Sequence, residues 1–379
     1  MIHLWTTASG YILCAAATAY GIAALIAVRT RIRLVPYSTG ECHPVTVLKP
    51  LCGEAPETYE CLRSFCEQDY AKFQVIFGVS DPHDPVIAVV HRLQREFPDL
   101  DLRLRVDRTL HGTSRKVSNL INMMPSASHR YLVLSDSDVR VGPDYLSQVV
   151  APLQDRGVGI VTCAYRGLGS DNLWSLLGAM YVNEWFVPSV RVAAMSGSRA
   201  FAFGATIAIR AEVLAAAGGF AAISNQLADD YRLGELTRRM GLRTVLSQVC
   251  VDTYVSQQSL PALVRHELRW LRTIRAVRPV GYGLSFVTFG LPVALTGLWL
   301  SAGAPACIAA ASITAVCRLM IHIAMRADDV TPGRVALIAV RDALTFALWI
   351  WSFTSRRVQW REDSFHIRDD GSAQRILSA

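Results

Sequence analysis

The rhythm of hydrophobic and polar positions changes three times along the chain. Residues 8–28 are almost unbroken apolar and small residues, about one bilayer span. From His43 onward the apolar residues come in short runs, at 45–48, 73–79, 102–106, 131–134, 158–163 and 201–210, each stopped by Gly, Pro, Asp, Ser or a charge. Runs of that length predict buried strands, and the glycine in the last of them predicts a tight backbone approach. Between them apolar residues recur at helical spacing, as Val89, Val90, Leu93 and Phe97 do. Helices are expected over 56–68, 86–97, 143–153, 174–187, 212–217 and 226–240. Strand and helix in alternation imply parallel pairing and a crevice at the carboxyl edge of the sheet, where nucleotides bind. Residues 259–277 set Leu260, Leu263, Leu268, Leu271 and Ile274 against Arg265, Arg269, Arg272, Arg275 and Arg278, the pattern of a helix lying in a membrane interface. Residues 284–300, 305–325 and 335–353 read as three further spans. The pair Arg341-Asp342 interrupts the last, so it is either buried as a pair or held at the interface.

The pattern divides the chain into an anchor at 1–33, an α/β domain at 43–255, an interfacial helix at 256–279, membrane segments at 280–354 and a polar tail at 355–379. Arg29, Arg31 and Arg33 follow the first apolar run instead of preceding it, which predicts a signal anchor with the α/β domain in the cytoplasm. Three spans after that domain would put the tail outside, whereas Arg356, Arg357 and Arg361 argue for a cytoplasmic tail. The two expectations conflict.

Composition sharpens the class. Of 379 residues, 51% are hydrophobic and 18% charged, a membrane-protein balance. The net charge of +7 rests on arginine, with Lys49, Lys72 and Lys116 the only lysines. No basic run interleaved with aromatics occurs, so the charge suits an anionic bilayer and a phosphate-bearing substrate, not nucleic acid. The nine cysteines form no CxxC pair and read as reduced core or membrane residues.

Candidate chemistry clusters after the fourth strand, in Ser135-Asp136-Ser137-Asp138. If the strand stays extended, Asp136 and Asp138 project into one space, and two carboxylates there call for a cation such as Mg²⁺ or Mn²⁺ with a nucleoside diphosphate. A solvated turn is the equal alternative. Asp81 and Asp84 follow the second strand; each is either a contact for a uracil ring or, as is favoured for Asp84, a helix cap. Lys116, in the stretch from His111 to Leu120, opens a helix as part of a basic anion cradle or a solvated loop. Asp229 and Asp230 open another helix, where carboxylates favour the dipole and where one of them could serve as a general base. Arg269 could pair bidentately with a diphosphate.

Asp81, Asp136-Ser137-Asp138, Asp229-Asp230-Tyr231 and His266-Glu267-Leu268-Arg269-Trp270 resemble, in order and spacing, the family 2 glycosyltransferase fold, and more closely the ceramide glucosyltransferases of family 21. Lys49-Pro50, Lys116-Val117-Ser118-Asn119-Leu120 and Val358-Gln359-Trp360-Arg361 extend the likeness, and the nearest subgroup resembled is the bacterial hopanoid-associated glycosyltransferases. The resemblance implies a GT-A fold, a Rossmann-like and mostly parallel α/β sheet with membrane helices at both ends, in the inner membrane of a bacterium. It implies an inverting transfer of glucose or N-acetylglucosamine from a UDP-sugar to a lipid hydroxyl, on a hopanoid polyol first and ceramide next. Asp81, with Lys49 and Pro50, would hold the uridine, and Lys116 and Asn119 would lie in the nucleotide site. Asp138 with Asp136 would hold Mg²⁺ or Mn²⁺, and Asp230 would be the base. Arg269 and Trp270 would close over the diphosphate. His266 stands where the family usually has Gln or Arg, which leaves its role as a leaving-group or acceptor contact open, and a histidine there could titrate near neutrality. A processive polysaccharide synthase and a polyprenyl-phosphate sugar transferase are the competing enzymes. A decayed membrane scaffold is the non-enzymatic one.

Overall fold

Strand β1 (Val45–Leu51) shows why the sheet is central: Val45, Val47 and Leu48 have no exposed surface. A strand covered on both faces has helices on each side, as parallel sheets require. The computed structural model describes residues 2–30, 43–170, 172–325, 332–360, 363–368 and 370–376; Arg31, Arg33 and Arg361 lie outside these. After the N-terminal helix α1 (Ile2–Arg29), β1 is followed by α2 (Thr58–Cys66), β2 (Phe73–Val79), α3 (Val86–Glu96) and β3 (Asp101–Val106). Next come α4 (Arg115–Met123), β4 (Tyr131–Leu134), β5 (Val139–Arg140), α5 (Tyr145–Val150) and β6 (Val158–Gly169). The second half of the domain holds α6 (Leu173–Tyr181), α7 (Val187–Met195), β7 (Ile207–Arg210), α8 (Ala211–Ala216), α9 (Asp229–Arg239) and β8 (Arg243–Val255).

These strands form one eight-stranded sheet in the order β3-β2-β1-β4-β7-β6-β8-β5. β3, β2, β1 and β4 are parallel neighbours, β6 pairs parallel with β8, and β7 runs antiparallel between β4 and β6. The mostly parallel α/β sheet matches the expectation. Several details differ. Only Ile207–Arg210 of the 201–210 run is a strand, because Phe203 turns back to bridge Thr206. The helix expected at 174–187 is longer and carries a π turn at Val182–Phe186 between α6 and α7. β8 had no counterpart in the hydrophobic pattern.

Beyond the sheet lie α10 (Leu260–Val277), α11 (Pro279–Leu284), α12 (Gly290–Leu300), α13 (Pro305–Met325) and α14 (Pro332–Ser352). Helices α1, α13 and α14 are long and apolar enough to cross a membrane. The span expected at 284–300 is instead a broken pair, α11 with a 3₁₀ turn and then α12, bent by 75°. Phe289 leaves the helical region at ψ 62°, and Pro292 can sit only in the first turn of a new helix. Where α1 crosses α12, a β-carbon on Gly10 would stand 2.6 Å from Gly297 O, so the two backbones touch through glycine.

The tail forms a second sheet, of β9 (Arg357–Trp360), β10 (Asp363–Ile367) and β11 (Ala373–Ile376), antiparallel throughout. Its apolar face, Val358, Phe365, Ile367 and Ala373, packs on Leu227 of the α/β domain, and Ala373 N–H donates to Asn225 O at 2.8 Å. The tail therefore lies on the same side as the domain. The bent α11–α12 pair is either one broken span or a re-entrant turn, and a tail on the domain's side requires an even number of crossings after α10.

Arg341 and Asp342 are not paired with each other. Arg341 reaches Glu267 of α10 bidentately at 2.7 Å for each bond, and its Nε donates to Thr345 at 2.9 Å. Asp342 instead accepts from Arg318 of α13, which also binds Glu184 in the π turn at 2.8 Å. A buried ion pair strands its survivor when one partner is removed. Glu267→Gln is expected to destabilise the protein by about 3–5 kcal/mol, seen as a lower unfolding midpoint in detergent. The double change Glu267→Leu with Arg341→Met should recover most of that loss.

Candidate active site

The parallel half of the sheet brings the carboxyl ends of β2, β1 and β4 to one edge. Strand β4 stops at Leu134, and Ser135 N–H still donates to Leu48 O at 3.2 Å. The chain then turns through Asp136 and Asp138 before β5, so the two carboxylates are placed by a turn and not by continued strand alternation. Asp138 accepts from Thr253 Oγ1 on β8 at 3.2 Å, and Tyr254 N–H donates to Asp138 O at 3.0 Å. Asp138 opens to the cleft yet lies deep among protein atoms. That desolvation, with Asp136 beside it, raises its pKa above the ordinary carboxylate value.

Lys116 comes in from the first turn of α4, whose N-cap Ser114 accepts Val117 N–H at 3.3 Å. Its ammonium lies 2.6 Å from Asp136 Oδ1 and 3.4 Å from Asp229 Oδ2. Although burial acts to lower it, these carboxylates together raise its pKa, so Lys116 is a fixed cation between the two halves of the cleft. Asp229 and Asp230 begin α9. Asp230 Oδ2 accepts Gly204 N–H at 2.8 Å, and Oδ1 accepts Tyr231 N–H at 2.7 Å. A β-carbon on Gly204 would stand 3.2 Å from Asp136 Oδ2, 3.4 Å from Lys116 Nζ and 3.5 Å from Asp230 Oδ2. Three charged groups thus converge on one bare backbone position, which is the tight approach the glycine signalled. Burial pushes Asp230 up to about 7, with Asp229 adding to the rise and Lys116 opposing it.

Other expected residues fall elsewhere. Lys49 has no exposed surface; its ammonium donates to Asp136 O and to Ser135 Oγ, and stands 3.9 Å from the Phe65 ring centroid. Burial lowers its pKa to about 8, with Asp138 and Asp136 among the groups opposing the fall. Lys49 therefore holds the Asp-Ser-Asp turn from beneath and offers nothing to a base. Pro50 follows where β4 has already ended, so its missing N–H costs no ladder bond. Asn119 is also buried, its amide spent on Gly78 O at 2.7 Å, and it fixes α4 to β2 without reaching the cleft.

Asp81 is exposed at the end of β2, accepting His83 N–H at 3.0 Å with Arg108 3.5 Å away. That backbone bond, together with Arg108, keeps its pKa low. Two strand spacings separate it from Asp136, about 10 Å, the scale of a nucleoside. Asp84 accepts Val86 N–H at 3.0 Å and Gly53 N–H at 2.8 Å, the capping role with a loop tie added.

On α10, Arg269 lies 5.3 Å from the Trp360 ring, has no carboxylate in contact among the described residues, and feels Asp136, Asp229, Asp230 and Asp138 at longer range. Trp270 packs inward, its ring 6.0 Å from Tyr181 and 4.6 Å from His266. Burial and then Arg269 hold His266 down to about 3, so it is a neutral imidazole at physiological pH and not a group titrating near neutrality. Two residues were missed in the sequence. Thr253 lies on the unforeseen β8. Tyr165, at the far end of β6, faces the same carboxylates and stacks on Phe186 at 4.6 Å.

The arrangement offers a carboxylate pair for a hard cation, a fixed ammonium, an arginine and a separate carboxylate poised to take a proton. Among the described residues no group of three or more Asp, Glu, His or Cys side chains is placed to hold a metal. Two oxygen donors on one turn fit Mg²⁺ or Mn²⁺, which complete their shell with water and substrate phosphate.

Among solved structures, the mannosyltransferase PcManGT from Pyrobaculum calidifontis, in complex with GDP-Man and Mn²⁺, overlays with a TM-score of 0.56 at 22% identity over 93% of this chain and 98% of that one. The shared fold is of the GT-A type. Ceramide glucosyltransferase 3 of Caenorhabditis elegans is 22% identical over 236 residues, 62% of this chain and 51% of the relative. An N-acetylglucosaminyltransferase of Bradyrhizobium diazoefficiens is 26% identical over 240 residues, 60% of this chain and 48% of the relative. The chain thus spans about half the length of these relatives. Residues 10–373 match glycosyl transferase family 21, and the chain belongs to that family.

Proposed function

We propose that this protein is a membrane-bound inverting transferase that moves a sugar from a UDP-sugar to the hydroxyl of a membrane lipid. The observation that carries the reading is the convergence on Gly204 of Asp136, Lys116 and Asp230. It sets a nucleotide-side carboxylate and a base-side carboxylate across one narrow cleft beside membrane helices. Asp81 stands at the uridine end. Asp136 and Asp138 would hold a divalent cation, which when bound withdraws charge from the diphosphate. Lys116 holds Asp136 and Asp229 in place by ion pairing, and Arg269 meets charge that builds on the leaving group. Asp230 takes the acceptor hydroxyl's proton at a carboxylate oxygen, aided by a pKa near the operating pH. His266 and Trp270 support Arg269 by packing and do not exchange protons.

The same proposal has the α/β domain face the cytoplasm at a bacterial inner membrane, a reading supported by Arg29 at the carboxyl end of the first apolar helix. For the acceptor, the motif likeness favours a hopanoid polyol, while relatives named as ceramide glucosyltransferases favour ceramide. The competing processive synthase requires a channel, and three or four candidate spans provide little material for one.

Three outcomes are expected. In a two-by-two assay in detergent with Mg²⁺ or Mn²⁺, UDP-glucose or UDP-N-acetylglucosamine is offered with ceramide or bacteriohopanetetrol, and one pair should yield a glycolipid by mass spectrometry. UDP binding with no product from any pair would reject both acceptors. Asp230→Asn should retain UDP binding while turnover falls by about 10²–10⁴-fold. Because the raised pKa leaves Asp230 protonated at low pH, wild-type turnover should fall as pH drops through about 7, and that limb should vanish from the residual rate of the variant. Gly204→Ala places a methyl group against three charged atoms and should lower turnover by roughly 10–100-fold through misplacement, with the fold's unfolding midpoint little changed.

A further inference from the structure

Outside the cleft, the positive charge of α10 gathers in one place. A pocket between α10 and the tail sheet is lined by Arg265, Arg269, Arg272, Arg357, Gln359 and Ser364. The three α10 arginines are spaced by four and then three residues, which puts them on one helix face. Arg357 and Gln359 share a face of β9, and Ser364 on β10 stands directly opposite Gln359. The arginines expected to snorkel are instead tied to the tail: Arg272 Nη1 donates to Arg357 O at 2.6 Å, and Arg275 Nη2 to Ser355 O at 2.8 Å.

Among the described residues, none of the four lining arginines has a carboxylate in ion-pair contact. The nearby Asp363 is already engaged by Arg115 and Arg375. Arg272 Nε is buried with no partner among the described residues. Burial lowers the pKa of Arg272, and Arg275 adds to it, so the pocket carries charge at a cost that an anion would relieve. Arginine meets phosphate with paired N–H donors, and several guanidinium groups on one concavity select for it.

Position decides which phosphate. The opposite face of α10, Leu263 and Leu271, packs against α6 and α14. Helix α14 ends at Ser352, five residues before Arg357, so the pocket lies within about 17 Å of the end of that span. Ile376, in the pocket's lining, and Phe353, one residue past the end of α14, are large apolar side chains left exposed. A basic concavity rimmed by exposed hydrocarbon is the surface a phospholipid headgroup meets.

We propose that this pocket binds the phosphate of an anionic phospholipid, at the membrane surface beside the donor cleft. It rests on the reading above only in taking α13 and α14 as membrane-spanning. Arg269 lines the pocket and also faces the catalytic carboxylates, so a bound headgroup sets the position of the residue that meets the diphosphate. A nucleotide is the other source of phosphate, and the test separates the two.

The full chain, purified in detergent, is mixed with phosphatidylglycerol or phosphatidylcholine and examined by native mass spectrometry, with UDP binding measured in parallel. Phosphatidylglycerol should be retained and phosphatidylcholine lost. Arg265→Gln with Arg357→Gln should weaken phosphatidylglycerol retention by roughly 30-fold, two interfacial charges' worth, with UDP affinity unchanged. Equal retention by the variant overturns the proposal. So does a fall in UDP affinity with phosphatidylglycerol still held, which would make the pocket a nucleotide subsite. If the double variant does not fold, Arg357→Gln alone, on an exposed strand position, should give part of the loss, and no loss overturns the idea equally. The readout is binding, so failure of lipid glycosylation would leave this result standing.

Discussion

Carboxylates do not gather without a cation to hold them. Asp136 and Asp138 arrive on the turn after β4, and Asp229 and Asp230 arrive almost a hundred residues later at the start of α9. Lys116 lies between the two sets, 2.6 Å from Asp136 and 3.4 Å from Asp229. Its charge is what allows both carboxylate turns to approach Gly204, and the rest of the domain is arranged to bring α4 to that point. Ser114 caps the helix, and Asn119 pins it to Gly78. Beneath the turn, Lys49 does similar work from the core side, trading solvent for the carbonyl of Asp136 and the face of Phe65. Burial, with Asp229 adding to it and Lys116 opposing, leaves Asp230 with a pKa of about 7, able to take up and release a proton near neutrality.

On the membrane side the same logic recurs with less water. Arg341 of α14 is fully committed to Glu267, Thr345 and a backbone carbonyl, while Arg318 bridges Glu184 and Asp342. Each network joins elements distant in sequence: α10 to α14, and the π turn to α13 and α14. Such pairs add little net stability over an apolar core, but they fix which helix face meets which. Here they set the rotation of α10, and therefore where Arg269 points.

Much of this was legible from local pattern. Short apolar runs located β1, β2, β4 and β6, and carboxylates at strand ends and helix starts located Asp136, Asp138 and Asp230, because those signals need only neighbours in sequence. What failed was whatever depends on a partner far away. Lys49 and Asn119 sit in motifs that resemble nucleotide contacts, yet whether such side chains face cleft or core is decided by which helix covers them. Strand β8 is broken in composition by Ser247, Gln248 and Asp252 and is held by its long pairing with β6. The tail's strands are too short to declare themselves, and their apolar face finds cover against Leu227 and Ala276, both distant in sequence. Residues 284–300 had a span's composition; Phe289 and Pro292 gave them a bend.

The stacking of Arg269 on Trp360 has a consequence for biogenesis. Trp360 lies on β9, which follows α13 and α14 in the chain and is therefore synthesised after them. Until β9 emerges and folds back, Arg269 lacks its aromatic rest and the arginine pocket lacks a wall. The nascent chain can hold a nearly finished sheet while Arg269 remains unseated. The seat of Arg269 is thereby completed only after both long apolar helices have been made, so a chain stalled before β9 holds the carboxylate turns without their arginine in place.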